Sequence, residues 1–402
     1  MDVNQLRRLK PELETFLDRY AGYFGRADTH LQARRLVYGL LNGTDRRNVE
    51  NIAEAVKGGV VRTLQKFITE GSWKDDDVLC ELRTHVVEVL GDDNAVMCVD
   101  ETGFPKKGTK SVGVKRQYSG ILGRVDNCQI GVFLNYVSQG DHMLIDRRLY
   151  LPEEWANDWD RRAAAYVPEE VVFRTKPELA LEMVADAVAH NMPFRFVTGD
   201  SVYGDSPTFV QGIRALRKLY VMDVSSEMHV WLQSPKRLRS GKPETRPISV
   251  AEALVRVPEK AWKKMTVAEG SQGPRVYEYA ELLVWFSEEG LPTATFERLL
   301  FRRSLGQKAE IKYQRSNASL QIKLPQLAQV GGQRWTIEQD FQAGKGECGL
   351  DEYETRGWTG WHHHTALSML ALFFLALQRR RMEKKRKTDD RARSACLVAA
   401  FA

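Results

Sequence analysis

Two short apolar runs, AVMCV at 95–99 and FRFVTG at 194–199, are each followed at once by an aspartate, Asp100 and Asp200. Runs of this length, rich in β-branched residues and bounded by turn residues, read as buried strands. A side chain that ends such a strand is rigid and points into a crevice. If the two strands are neighbours in one mixed sheet, the two acids lie side by side at its edge. That requirement shapes the rest of the chain, which reads as α/β around such a sheet.

Before residue 92 the pattern is different. Leu36, Leu40 and Leu41, then Ile52, Ala53 and Val56, then Val60, Leu64, Phe67 and Ile68 recur at helical spacing, which predicts a small helical domain over 1–92. The region 93–225 holds three consecutive strands, 95–99, around 118–122, and 128–137, read as antiparallel. After them come a helix at 177–190, the strand before Asp200, a helix near 206–218 and a strand at 219–224. Residues 226–326 break the alternation with Pro, Gly, Arg, Trp and strand candidates at 275–286 and 295–303, and predict a β-rich insertion. Over 327–378, RWTIEQDFQAG and a long apolar helix close the fold, and 379–402 is a basic tail.

The formal net charge of +6 is misleading as a whole-chain quantity, because nine basic and three acidic residues at 379–393 account for all of it. Nucleic-acid contacts therefore have to be sought in local patches. The tail reads equally as a solvated helix end or as a phosphate contact. The longest apolar run, 365–377, is shorter than the ~18 residues a membrane span needs. The first ten residues are charged rather than apolar, and five cysteines form no CxxC pair. The expectation is a cytoplasmic protein without a membrane partner.

Glu338, on the helix after the insertion, joins Asp100 and Asp200 if that helix packs over the sheet edge. Three convergent carboxylates suit a hard cation such as Mg²⁺, which takes a few carboxylate oxygens together with waters and substrate phosphates. Taken singly, each acid has a simpler reading: Asp100 and Asp200 as caps or turn residues, Glu338 as the partner of Arg334 one turn earlier. Arg334, Glu338 and Lys345 share a helix face by their spacing, although Gly344 and Gly346 predict fraying near Lys345.

The segments VDETGFPKKGTKSVGVKRQYSG, CQIGVFLNY, VTGDSVYGD and QRWTIEQDFQAGKGECGLDEYETRGWTGWHHH, in this order, closely resemble bacterial insertion-sequence DDE transposases. The likeness is narrowest to the insertion-sequence 701 group, IS-four-like proteins with an RNase H-like catalytic core interrupted by a β-strand insertion. The resemblance implies that Asp100, Asp200 and Glu338 bind two Mg²⁺ ions, with Mn²⁺ able to substitute. It also implies catalytic roles at phosphate for Arg334 and Lys345, which match the last members of a Tyr, Arg, Glu, Lys signature; Gly331 stands at the tyrosine position. The implied partners are double-stranded DNA, as element ends with terminal inverted repeats and as target, and a second copy in a homodimer on DNA, in the bacterial nucleoid. Two rivals remain: a catalytically silent, transposase-derived DNA-binding regulator, and an RNase H-like nuclease without strand transfer.

Candidate DNA contacts follow the first acid: Lys106, Lys107, Lys110, Lys115 and Arg116 lie among glycines, where cations hold a backbone in register without reading sequence. Within the insertion, Trp231 stands with Arg237 and Arg239. Related transposases pass through a DNA hairpin and hold a flipped base on an aromatic residue, for which Trp231, Trp262 and Trp285 are candidates beside a plain core role. Arg46, Arg47 and Asn48 before a helical pattern suit an element-end reader as well as an ordinary bundle. His362, His363 and His364 suggest zinc with Cys348, but lack a second cysteine and are expected to face DNA or solvent. Asp205 is expected as a turn or cap residue, and Glu101 to point away from Asp100.

Overall fold

The computed structural model describes residues 3–42, 46–119, 123–236, 238, 240–270, 273–306 and 309–400. Helices α1 (Val3–Asp18), α2 (Ala27–Leu41), α3 (Val49–Ala55), α4 (Val61–Thr69) and α5 (Asp75–Leu90) come first. Asn48 caps α3 by accepting the Asn51 N–H, and Asp75, Asp76 and Asp77 place negative charge on the first turn of α5, where the helix dipole favours it. Of the apolar positions at helical spacing, Leu36, Leu40, Ile52, Ala53, Leu64, Phe67 and Ile68 are buried and Leu41 and Val56 half-buried, whereas Val60, just before α4, is exposed.

Strands β1 (Val96–Pro105), β2 (Lys115–Ser119), β3 (Arg124–Ser138) and β4 (Asp141–Tyr150) follow as an antiparallel set in which β3 pairs with the other three. Helices α6 (Glu153–Ala156), α7 (Trp159–Ala164) and α8 (Lys176–Ala189) lead to β5 (Phe196–Gly199), α9 (Ser201–Gly204), α10 (Pro207–Ala215) and β6 (Leu219–Val224). Thr175 and Glu178 form a reciprocal capping box that starts α8 one residue earlier than expected. β5 runs parallel to both β1 and β6, so the sheet is mixed, as an RNase H-like core requires.

The later strands are β7 (His229–Trp231), β8 (Ile248–Ser249), β9 (Lys263–Gly270), β10 (Gly273–Glu288), β11 (Leu291–Pro292), β12 (Glu297–Ser304) and β13 (Ile311–Ser316), with α11 (Val250–Leu254) among them. They do not stand apart from the core sheet. β13 pairs antiparallel with β6, β12 with β13, and β10 with β12, so this segment prolongs the sheet past β6. Helices α12 (Leu324–Gly332), α13 (Trp335–Cys348) and α14 (Trp358–Ala400) complete the chain, with α13 and α14 packed on β4 and α14 also on α2. No described helix is long and apolar enough to cross a membrane.

Two expectations are corrected here. α13 does not fray at Lys345; it continues to Cys348 and ends on Gly349 in the left-handed conformation. The three histidines face neither solvent nor DNA, since all are buried. His363 bridges Ile68 O at 2.8 Å and Trp73 O at 3.0 Å while stacking on Trp73, and His364 reaches Gly349 O at 2.8 Å. They pin α14 to α4 and to the turn after α13.

Candidate active site

Val99 of β1 pairs with Gly199 of β5, and Gly199 pairs with Met222 of β6, so the residues that come next, Asp100, Asp200 and Asp223, form one row across three parallel strands. Asp200 follows the end of β5 and Asp223 is one residue from the end of β6, near the carboxyl edge where α/β sheets open into ligand crevices, but Asp100, expected to end its strand, lies midway along β1, which runs on to Pro105. Asp100 and Asp200 were expected as neighbours. Asp223 was not, although an acid inside the otherwise apolar LYVMDV was its signal.

Local structure fixes each side chain. Asp100 Oδ1 accepts the Glu101 N–H at 2.8 Å, and Asp200 Oδ1 accepts the Val202 N–H at 2.9 Å as the cap of α9. Gly204 in α9 lies so close to β6 that a Cβ there would stand 1.9 Å from Asp223 O. Asp223 Oδ1 accepts from Gln314 Nε2 at 2.7 Å. Glu101 lies on the other side of β1, held by Lys176 Nζ at 2.8 Å and Tyr203 Oη at 2.7 Å. Asp205 is the residue after α9 and accepts from the Ser225 N–H at 3.0 Å, a structural contact.

From above the row, α13 contributes the remaining groups. Arg334 stands at its start, with Nη2 2.8 Å from Glu338 Oε1, Nη1 3.4 Å from Asp100 Oδ2 and Nε 3.6 Å from Asp223 Oδ2. Three turns of helix carry the face to Lys345, whose Nζ donates to Thr102 Oγ1 and Gly103 O, both at 3.0 Å. Arg334, Glu338 and Lys345 therefore line one face of α13 directed at β1.

The electrostatics are those of crowded acids. Burial, then the charge of Asp200, push the Asp100 carboxyl up to about 8 against the pull of Arg334. Burial, then Glu101, push Asp200 up to about 6. Burial works against the Arg334 charge, but Asp223, Asp100 and Glu338 outweigh it and its pKa is raised. Burial lowers Lys345 to about 8. Among the described residues no three His, Cys, Asp or Glu side chains already form a metal-holding group, and Arg334 occupies the space between the acids. The donor set nevertheless fits hard cations: carboxylate oxygens in a row, with the charge of one guanidinium against several acids.

Beyond the end of β1 a cleft of about 1680 Å³ separates α3 and α4 from the 105–111 loop and the 351–360 segment. Its walls carry Arg62 and Lys66 on one side and Lys106, Lys107, Lys110 and Arg356 on the other. Lys106 is committed internally, its Nζ 3.1 Å from Tyr353 O and over the Tyr353 ring, and burial lowers it to about 8. Lys107 and Lys110 are exposed. Lys115 pairs with Glu154, and Arg116 is exposed on β2, outside the cleft lining. Arg46 and Arg47, thought of as element-end readers, are engaged with Glu354 and Glu352.

Of the insertion aromatics, Trp231 offers no face for stacking here, because it is 4% exposed with Nε1 bonded to Thr245 O at 2.9 Å. Trp262 is covered by the Arg303 guanidinium, and Trp285 packs edge-on with Phe296. Arg237 and Arg239 lie outside the described residues.

Two comparisons bear on this geometry. A sequence profile of the DDE superfamily endonucleases matches residues 19–274, more than half of the chain. The chain is also similar to a probable transposase for insertion sequence element IS701 of Microchaete diplosiphon, with 30% identity over 194 residues that make up 48% of each protein. The chain thus spans about half the length of the relative it matches.

Proposed function

Because this chain belongs to the DDE superfamily endonucleases, we propose that it is a DNA transposase that cuts the ends of an insertion sequence and joins them to a target. The observation that carries this reading is the register-matched pair Asp100 and Asp200, closed from above by Glu338 and Arg334 of one helix. Asp100, Asp200 and Glu338 would hold Mg²⁺, or Mn²⁺ in its place, and in such sites bound divalent ions activate the attacking oxygen and neutralise the leaving oxygen of an in-line displacement.

The protein's own groups position and neutralise. Arg334, with its planar fork of donors, suits a phosphate oxygen beside the acids, and Lys345 adds a point charge further along β1. Duplex DNA would continue from the acids past Lys345 into the cleft between the helical region and the 105–111 loop, where Arg62, Lys66, Lys107 and Lys110 meet its backbone. Division into a DNA-binding helical domain (1–92), a core in two parts (93–225 and 327–378), a β-rich insertion (226–326) and a basic tail (379–402) follows the same reading. A homodimer on DNA in the cytoplasmic nucleoid belongs to it too, since two element ends have to be cut and joined together.

The test is incubation of the purified protein with DNA carrying the gene's own flanking sequence, a target plasmid and Mg²⁺ or Mn²⁺. Metal-dependent cutting at the element boundary with joined products, lost in Asp200→Asn while DNA binding persists, is the expected result. Ends without joined products would indicate a hydrolytic nuclease, and binding without any cutting by folded wild type would indicate a regulator.

A further inference from the structure

Arg334 touches carboxylates from three elements: Asp100 on β1 at 3.4 Å, Asp223 on β6 at 3.6 Å and Glu338 on α13 at 2.8 Å. Asp100 and Glu338 offer the oxygens that a hard cation takes, so the guanidinium and a bound cation compete for them. Arginine cannot shed its proton, and this one has a side chain only 20% exposed. Once released from Asp100 and Glu338 it still needs an acceptor, because a charge left unpaired at that depth is costly.

Asp223 is the acceptor that remains, and the fold holds it ready. It is the register partner of Gln314 across the β6–β13 pair, and Gln314 Nε2 donates to Asp223 Oδ1 at 2.7 Å, leaving Oδ2 toward Arg334. Gln314 is fully buried. Its amide is confined from the far side by α12, where a Cβ at Gly331 would stand 2.7 Å from Gln314 Nε2. Glycine at that position leaves room for the glutamine, and the glutamine fixes the carboxylate. None of these supports involves Asp100, Asp200 or Glu338.

We propose that Asp223 is a positioning residue that takes over the Arg334 guanidinium when divalent cations occupy the triad, resting on the metal role given above to Asp100, Asp200 and Glu338. Arg334 then moves aside without leaving the site, and its outward N–H groups stay available to a phosphate. Asp223 acts through Arg334 and not as a metal ligand. Metal affinity consequently depends on Asp223 only while Arg334 is present.

The experiment is Mn²⁺ titration of the purified full chain, followed by the electron paramagnetic resonance signal of free Mn²⁺, for wild type, Asp223→Asn, Arg334→Ala and the double variant. Asp223→Asn is expected to weaken Mn²⁺ binding about tenfold when Arg334 is present and less than about twofold when it is alanine, the signature of two residues acting as one unit. Arg334→Ala alone is expected to bind Mn²⁺ more tightly than wild type, since the competing cation is gone. An equal loss in both backgrounds would make Asp223 a ligand and overturn the proposal, as would no loss in either. If circular dichroism shows Asp223→Asn unfolded, Gln314→Met carries the test: it keeps the carboxylate, frees its orientation, and is expected to weaken Mn²⁺ binding only when Arg334 is present. Failure of wild type to bind Mn²⁺ would remove the metal reading itself. Binding that is lost in Asp200→Asn yet untouched in Asp223→Asn and Gln314→Met would remove this proposal alone.

Discussion

Asp100 at about 8 and Asp200 at about 6 are carboxyls that hold protons where an isolated aspartate would not. A cation binds only the ionised form, so its binding expels those protons and its affinity rises with pH. Mn²⁺ affinity is therefore expected to climb by up to roughly tenfold per pH unit between pH 6 and pH 8 and to level off above, a trend that titrations at pH 6, 7 and 8.5 would check. A flat profile would mean that the acids are already ionised. Gly204 offers a second test at this scale, because its missing Cβ lets α9 meet the β6 backbone. Gly204→Ala is expected to cost ~1–3 kcal/mol in urea unfolding, and to lower cleavage further by shifting the Asp200 cap away from Asp223. Part of the candidate site was singled out by local pattern alone: Asp100 and Asp200 each follow a short apolar run, and Glu338 falls within a recognisable helix. Asp223 was not, because its meaning comes from following Met222, the register partner of Gly199, and from Gln314 ninety-one residues later, neither of which a local pattern contains.

Among the elements, β1, β3, β5 and β6 were readable from the short apolar stretches they contain. β4 was not, since its interior carries Asp146, Arg147 and Arg148 where a buried strand should be apolar. These charges find partners in elements still unassigned when the strand is read: Arg147 with Asp75 and Asp76 of α5, Asp146 with Arg83, and Arg148 with Asp186 of α8. The histidines of α14 misled for the same reason, being polar groups satisfied by distant carbonyls. Burial holds His363 and His364 down to about 4, so both stay neutral in the fold while the unfolded chain takes up protons below its ordinary value near 6.5. Their contribution is thus complete above about pH 6.5 and lost as pH falls toward 4, at about 2 kcal/mol per histidine by pH 5. Urea midpoints at pH 7.5 and pH 5 are expected to show this fall. His364→Gln, which keeps a donor for Gly349 O, is expected to reduce the proton uptake on unfolding by about one.

For the whole molecule, the proposed DNA substrate asks how a chain whose net positive charge resides in its last residues would hold a polyanion. The answer offered by the fold is placement. β1 carries the backbone from Asp100 to Pro105 at the cleft mouth, roughly 17 Å at strand rise, which is about five steps along a duplex. A phosphate at the acids and a second group of phosphates between α4 and the 105–111 loop can thus belong to one DNA. Each cation that neutralises a phosphate releases counterions and adds about 0.9 to the steepness with which log K falls against log salt. Replacing Arg62, Lys66, Lys107 and Lys110 together by alanine is then expected to flatten that slope by about 3 to 4 and to weaken binding of all sequences alike at low salt. Lys74→Ala, an exposed lysine outside the cleft lining, is expected to leave the slope unchanged. The two walls belong to regions far apart in sequence, so on the proposed reading the helical region and the core would have to stay together to hold DNA. If the fourfold variant kept the wild-type slope, the duplex would have to leave the acids by another route, along β2 and Arg116 or across the insertion.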